Sequence, residues 1–171
     1  MTMPRTIFLT VPEMLMAERI GKHRNDESIK DGRRESYGAT GNNEEYHVHG
    51  CYGEIAVAKF LNVFWTGATN VFNVPDVGGF YVRCGRPGKD LWIRPSDGPE
   101  PRCFVTGAEN AFTIQGWTYP HECKKEEWYC DPQGRNAPVW MVPTSHLHPV
   151  NHIWDLDIRR LRDIPQHDNA I

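Results

Sequence analysis

The chain has 171 residues, with 19 basic against 22 acidic side chains and a formal net charge of −3. Hydrophobic residues make up 39% and charged residues 24%; this is the balance of one soluble globular domain, and near-neutrality excludes a uniformly basic nucleic-acid binder while leaving room for a local basic cleft. The 15 Gly and 13 Pro demand many turns and argue against a helical bundle.

Residues 1–15 hold broken apolar runs, not the continuous core of a signal peptide, so the expected location is the cytoplasm. No run approaches the roughly 18 apolar residues of a membrane-spanning helix, and no membrane partner is expected. The first helix opens at Thr10-Val11-Pro12-Glu13, a capping box with Thr10 as N-cap and Pro12 in the first turn. Val11, Met14, Leu15 and Ala17 give it a loose apolar face, and the stretch 19–34 is charge-rich and reads as solvated. Residues 31–46 are polar, Gly- and Asn-rich and nearly free of aliphatics, which predicts a long loop. A second helix is predicted over 50–62, with Ile55, Ala58 and Leu61 on one stripe, Val57 beside it and Asn62 as the stop. Short runs between turn residues then predict strands at 70–74, 79–84, 91–94, 103–106, 112–118 and 139–142. A third helix is expected over 120–130, opened by Pro120, and a terminal helix over 153–164. This order predicts an α/β (α+β) chain forming a single domain over 1–171. A central mixed sheet is flanked by helices, and 144–171 form a C-terminal extension.

The residues best placed for chemistry are Glu54, just before the apolar run of the second helix, and Asp76, in Pro75-Asp76-Val77-Gly78-Gly79 at the mouth of a strand. Tyr81 and Arg83 follow two apart, so they share a face of that strand. Two carboxylates and a cation converging at a strand end suit metal-assisted phosphodiester hydrolysis. Glu54 and Asp76 would hold Mg²⁺, the metal would activate water, and Arg83 would neutralise charge at phosphorus. Each residue also has a structural reading. Glu54 could favour the helix start through the dipole, Asp76 could make an Asx hydrogen bond, Arg83 could pair with Asp97, and Lys59 could be solvated.

Two further groupings stand out. His47, His49 and Cys51 alternate and would share one face of a strand; His121 with Cys123 and Cys130, or His146 with His148, could complete a zinc site, but none has the usual ligand spacing, so zinc is not expected. The five Cys form no C-x-x-C pair and read as free thiols in a reducing compartment. The stretch 81–102 interleaves Arg83, Arg86, Lys89, Arg94 and Arg102 with Tyr81 and Trp92. Cations and ring faces of this kind line nucleic-acid grooves, which makes Arg86, Lys89, Arg94 and Arg102 candidate nucleic-acid contacts. The Trp residues read as packing.

The segment 49–61, the Pro-Asp-Val-Gly-Gly and Val82-Arg83 runs, Leu91-Trp92-Ile93-Arg94-Pro95 with Asp97, Gly116-Trp117 and Val142-Pro143 together resemble a group of phage and prophage proteins. That group in turn resembles the PD-(D/E)XK, restriction-endonuclease-like, nuclease superfamily. The resemblance covers roughly 47–143. It implies a restriction-endonuclease-like core in which Glu54 is the helix acid, Asp76 the PD aspartate and Arg83 the residue in the Lys position. It also implies the cytoplasm of an infected or lysogenic bacterial host. The chain departs from the pattern where the E-x-K acid falls on Tyr81, a poor Mg²⁺ ligand, and where Arg83 cannot serve as a base. The expected function is a Mg²⁺-dependent nuclease or a degenerate nuclease-fold protein that binds nucleic acid. The alternative is a non-catalytic accessory protein that binds a host or phage protein, with a zinc-stabilised binding module as the third reading.

Overall fold

The structure is a computed structural model that describes residues 4–33, 43–71 and 73–151. The terminal helix expected over 153–164 lies outside the described residues.

The chain opens with a strand the sequence did not announce, β1 (Arg5–Phe8). It is short and largely exposed, so it lacks the apolar alternation that marks a strand. Helix α1 (Val11–Lys30) follows, capped as its sequence predicts. The Thr10 amide donates to Glu13 Oε2 at 2.7 Å, and the Glu13 amide donates to Thr10 Oγ1 at 3.4 Å. Its buried face is the expected one only in part: Ala17 is buried and Met14 packs against the core. Ala17, Gly21, Asn25 and Ser28 point inward, while Val11 and Leu15 are exposed. Small residues are needed there because α1 lies directly on α2 (Asn43–Leu61). A Cβ on Gly21 would sit 2.5 Å from Val48 Cα.

Helix α2 begins seven residues before the expected start at 50, inside the predicted loop. Its first turns carry no aliphatic stripe, but Glu44 and Glu45 suit the positive end of the helix dipole. From His49 to Leu61 it is buried on nearly all sides, since α1 covers one side and a sheet the other. Lys59 is exposed, as expected, and also donates to the Phe8 carbonyl at 3.0 Å and to Glu13 at 2.9 Å, tying α2 to β1 and α1.

Strands β2 (Tyr81–Gly85), β4 (Arg102–Ala108) and β5 (Ala111–Thr118) join β1 in a mixed sheet ordered β1-β5-β4-β2. Only the β2–β4 pair is parallel. Between β2 and β4 the chain crosses to a second, antiparallel sheet. That sheet is ordered β3-β7-β6, from β3 (Leu91–Ile93), β7 (Val139–Val142) and β6 (Tyr129–Cys130). The alternation of β4 assigns the layers. Cys103 and Val105 enter a core with Ile55, Val57, Phe112 and Ile114. Phe104, between them, enters a second core with Leu91, Ile93, Cys123, Val142 and Leu147. The fold is therefore mixed α/β, with helices, mixed sheet and small sheet in three layers.

Two expectations fail here. Residues 70, 71, 73 and 74 of the predicted strand 70–74 are irregular. The predicted helix 120–130 is two 3₁₀ turns, Pro120–Cys123 and Glu126–Trp128, followed by β6. Cys123 and Trp128 both pack toward the second core, a spacing that a continuous α-helix does not bring to one face. Among the described residues no helix is long and apolar enough to cross a membrane.

Candidate functional site

Glu54 lies in the middle of α2, not at its start, and is 5% exposed. A carboxylate so placed needs a cation or several donors. It has both. Arg24, from α1, grips it with two parallel bonds, Nη1 to Oε1 at 2.6 Å and Nη2 to Oε2 at 3.0 Å. Trp65 Nε1 adds a third at 2.8 Å to Oε2. Arg24 Nε donates to the Ala68 carbonyl at 3.0 Å, which fixes the plane of the guanidinium. Burial lowers the Arg24 pKa, but the Glu54 hydrogen bonds and charge outweigh it and raise the value overall.

Gly53 allows this arrangement. It faces β2, where a Cβ would lie 2.6 Å from Cys84 Cβ and 3.5 Å from Val82 Cγ1. Val82 and Cys84 therefore point toward α2, and alternation sends Tyr81 and Arg83 to the opposite face. The shared face of Tyr81 and Arg83 holds as expected, but it is the face turned away from Glu54.

Asp76 sits between the two sides, ahead of β2. Gly78 and Gly79 have φ of +54° and +83°, the pair of positive angles that a tight primed hairpin turn requires. That turn folds residues 76–80 back on themselves, with Phe80 N donating to the Val77 carbonyl at 2.8 Å. Asp76 Oδ2 then accepts from Val82 N at 2.8 Å, the side-chain-to-backbone role that a turn aspartate commonly fills. Burial, then the nearby charge of Glu54, pushes its carboxyl up to about 6; the Val82 amide, Arg24 and Arg83 act the other way. Glu54 and Asp76 are thus neighbours in one electrostatic cluster.

On the far face, Asp97 is the hub. It accepts from Arg83 Nη2 at 2.8 Å, from Arg102 Nη2 at 3.2 Å and from the Arg94 amide at 2.8 Å. Burial opposes its charge, but the two guanidiniums and the amide outweigh it and hold its pKa below the usual aspartate range. The Arg102 guanidinium lies over the Tyr81 ring, 4.2 Å from its centroid. The Nε atoms of Arg83 and Arg102 are buried without a hydrogen-bond partner among the described residues.

The candidate nucleic-acid contacts divide by burial. Arg86 and Lys89 are exposed in the turn after β2, and Arg86 pairs with Glu45. Arg94 is half-buried. Arg102 is 3% exposed, and its guanidinium braces Asp97 and Tyr81 inside the protein. His47, His49 and Cys51 lie on α2 rather than a strand. At 100° per residue His49 is therefore turned away from the other two; its Nε2 meets the Gly85 carbonyl at 3.1 Å. Elsewhere His148 pairs with Glu122 at 2.8 Å and packs on Trp117, and His146 packs on Trp128.

Mg²⁺ requires free, hard oxygens set at near-octahedral positions. Both Glu54 oxygens are engaged by Arg24 and Trp65, one Asp76 oxygen is engaged by Val82, and Tyr81 lies across the sheet. As they stand, these residues do not fit Mg²⁺. Among the described residues no group of three His, Cys, Asp or Glu side chains is gathered to hold a metal ion.

Arg24 and Trp65 are the site residues that sequence reasoning missed. One signal was available: an acid beside the apolar run 55–58 needs a buried partner. The choice of Arg24 over Lys22 or Arg19 depends on how α1 crosses α2, which no local pattern encodes. The chain matches no protein-family model, no curated protein and no solved structure.

Proposed function

We propose that this chain is a phage-type protein that binds nucleic acid on a restriction-endonuclease-like core without cleaving it. One observation carries the reading. A helix acid and an aspartate ahead of β2 lie in one electrostatic cluster, but the groups that would complete a hydrolytic centre beside them are held or replaced. Glu54 is held by Arg24, Tyr81 stands where a second acid is required, and Arg83 is held by Asp97. Water activation by a metal needs open ligand positions, and Arg24, Trp65 and the Val82 amide already occupy three of the four oxygens of Glu54 and Asp76. Arg86 and Lys89 remain exposed at the end of β2, where they can meet a phosphate backbone.

The test has two arms. Plasmid nicking in Mg²⁺ or Mn²⁺ should be no greater for the wild type than for Asp76→Ala. Binding of a labelled duplex should weaken with added salt, and Arg86→Ala with Lys89→Ala should lower the salt slope by roughly one to two. Nicking that vanishes in Asp76→Ala would mean an active nuclease. Absence of duplex and single-strand binding at low salt would remove nucleic acid as the ligand.

A second reading, a non-catalytic accessory protein that docks on another protein, is favoured by one surface feature. Phe8, Val11 and Leu15, at the β1–α1 junction, are 63%, 70% and 59% exposed. Exposed apolar side chains close together in the chain suit a protein contact.

A further inference from the structure

We propose that two copies of this chain pair through the open edge of β1, antiparallel about a twofold axis at Thr6, and so join their main sheets into one. Strand β1 ends the order β1-β5-β4-β2, and no strand among the described residues lies along its outer side. Antiparallel partners alternate between pairs that exchange hydrogen bonds and pairs that do not. Leu9 N donates to the Asn110 carbonyl at 2.9 Å, and Phe8 is in register with Ala111, so Arg5 and Ile7 are the positions that bond to β5. Thr6 and Phe8 therefore turn their N–H and C=O groups outward. The Phe8 carbonyl agrees, because it accepts from Lys59 Nζ at 3.0 Å. The Thr6 N–H, the Thr6 C=O and the Phe8 N–H meet no backbone partner among the described residues.

Three open groups and one filled group fit a second copy of the same strand. With Thr6 opposite the other copy's Thr6, each amide donates to the other's carbonyl. Phe8 then faces the other copy's Pro4, whose carbonyl accepts from the Phe8 N–H. Proline has no N–H to give in return, and the Phe8 carbonyl needs none because Lys59 already holds it. A foreign strand with an ordinary residue there would bring an N–H to a carbonyl already taken. The side chains fit the same axis. Ile7 packs toward the main core, so alternation puts Thr6 and Phe8 on the opposite face of the sheet. Phe8 is 63% exposed and Pro4 is exposed, and the pairing lays a proline beside each aromatic ring. Edges that must stay single are blunted by charge, a bulge or a proline. Here the outward residues are neutral, and the one proline falls where the twofold needs no donor. The pairing needs neither nucleic acid nor a foreign protein, so it stands or falls separately from both readings of function.

The experiment is sedimentation equilibrium of the whole chain from micromolar to millimolar protein, without nucleic acid. The mass should double as concentration rises. Thr6→Pro removes the outward N–H and leaves the bonds to β5 in place, as a proline on an edge strand can. It should weaken the dimer roughly ten-fold or more. Thr6→Val loses the same side-chain bond to Thr113, 2.9 Å long, but keeps the N–H, and should dimerise like the wild type. Thr6→Cys in oxidised glutathione reads the register. The Cα atoms of a bonded antiparallel pair lie about 5.5 Å apart, within disulfide reach, so this variant should cross-link to itself. Phe8→Cys, whose two copies would lie about 13 Å apart along the strands, should not, and the wild type controls for the five native cysteines. A monomer at every concentration, the result expected if β1 serves a foreign strand, overturns the proposal. So does a Thr6→Pro dimer as tight as the wild type, a Thr6→Val loss equal to that of Thr6→Pro, or cross-linking no faster for Thr6→Cys than for Phe8→Cys. Should Thr6→Pro be unfolded, the cross-linking of Thr6→Cys decides alone.

Discussion

Single residues in this protein are held by charge more than by shape, and Asp97 shows it best. One carboxylate receives two guanidiniums and the Arg94 amide, with its side chain 6% exposed. Breaking a buried pair leaves uncompensated charge and costs about 3–5 kcal/mol. Asp97→Asn should therefore lose stability of that order near neutral pH, read by urea unfolding. The pH dependence follows from the direction of the shift. The folded-state pKa of Asp97 lies below its unfolded value, so the folded state favours the ionised form. Its contribution is complete above the ordinary aspartate range near ~3.9 and is lost as pH falls through the lower folded value. The gap between wild type and Asp97→Asn should close over that acidic interval. A gap that stays constant down to the acid transition would show that Asp97 acts through shape alone. The pairing of Arg83 with Asp97 was within reach of the sequence, because both lie in one short basic window. The pairing of Arg24 with Glu54 was not, since thirty positions and a helix crossing separate them.

At the scale of elements, local signals were legible and tertiary ones were not. The Thr10 capping box and strand β7 match the sequence reading because a cap or a four-residue apolar run carries its own cause. Strand β1 exists only because β5, more than a hundred positions later, completes its hydrogen bonds. The start of α2 was hidden for a similar reason: its early turns are polar and are held by Val48 against α1. The helix pair yields a paired prediction. Gly21→Ala adds intrinsic helix preference of about 1 kcal/mol, yet its Cβ would lie 2.5 Å from the Val48 backbone. Overpacking of this kind costs about 1–3 kcal/mol, and the collision is with backbone that cannot rotate away. Gly21→Ala should therefore destabilise. Gly50→Ala, on α2, meets nothing within 4 Å and should stabilise by up to about 1 kcal/mol. Thermal melts of the two variants decide it, and an increase in Tm for Gly21→Ala would refute the close approach of α1 to α2.

The whole molecule has two cores of unequal size on opposite faces of one sheet. The first packs both helices against β4 and β5 and holds most of the buried apolar side chains. Among the described residues the second contains six, with Phe104 the side chain that β4 contributes. Among the described residues no α-helix contributes to the core of the small sheet, and its β6 strand is two residues long. Segments with few buried apolar contacts open at lower free energy than the global transition. Amides of β3, β6 and β7 should therefore exchange with solvent before those of α2, β4 and β5. Phe104→Ala tests the link between the layers. Removing a buried aromatic side chain costs about 3–5 kcal/mol, and here the loss falls on the second core. Protection in β3 and β7 should collapse first, while α2 retains more of its own. Equal loss throughout would mean that the two cores unfold as one unit. The distinction bears on the site, because Asp97 and Arg83 lie between the main sheet and the chain leading out of β3. Glu54 and Arg24 lie on the helix side. If the small sheet opens alone, the Asp97 cluster opens with it, and Arg83 is released toward solvent while Arg24 still holds Glu54.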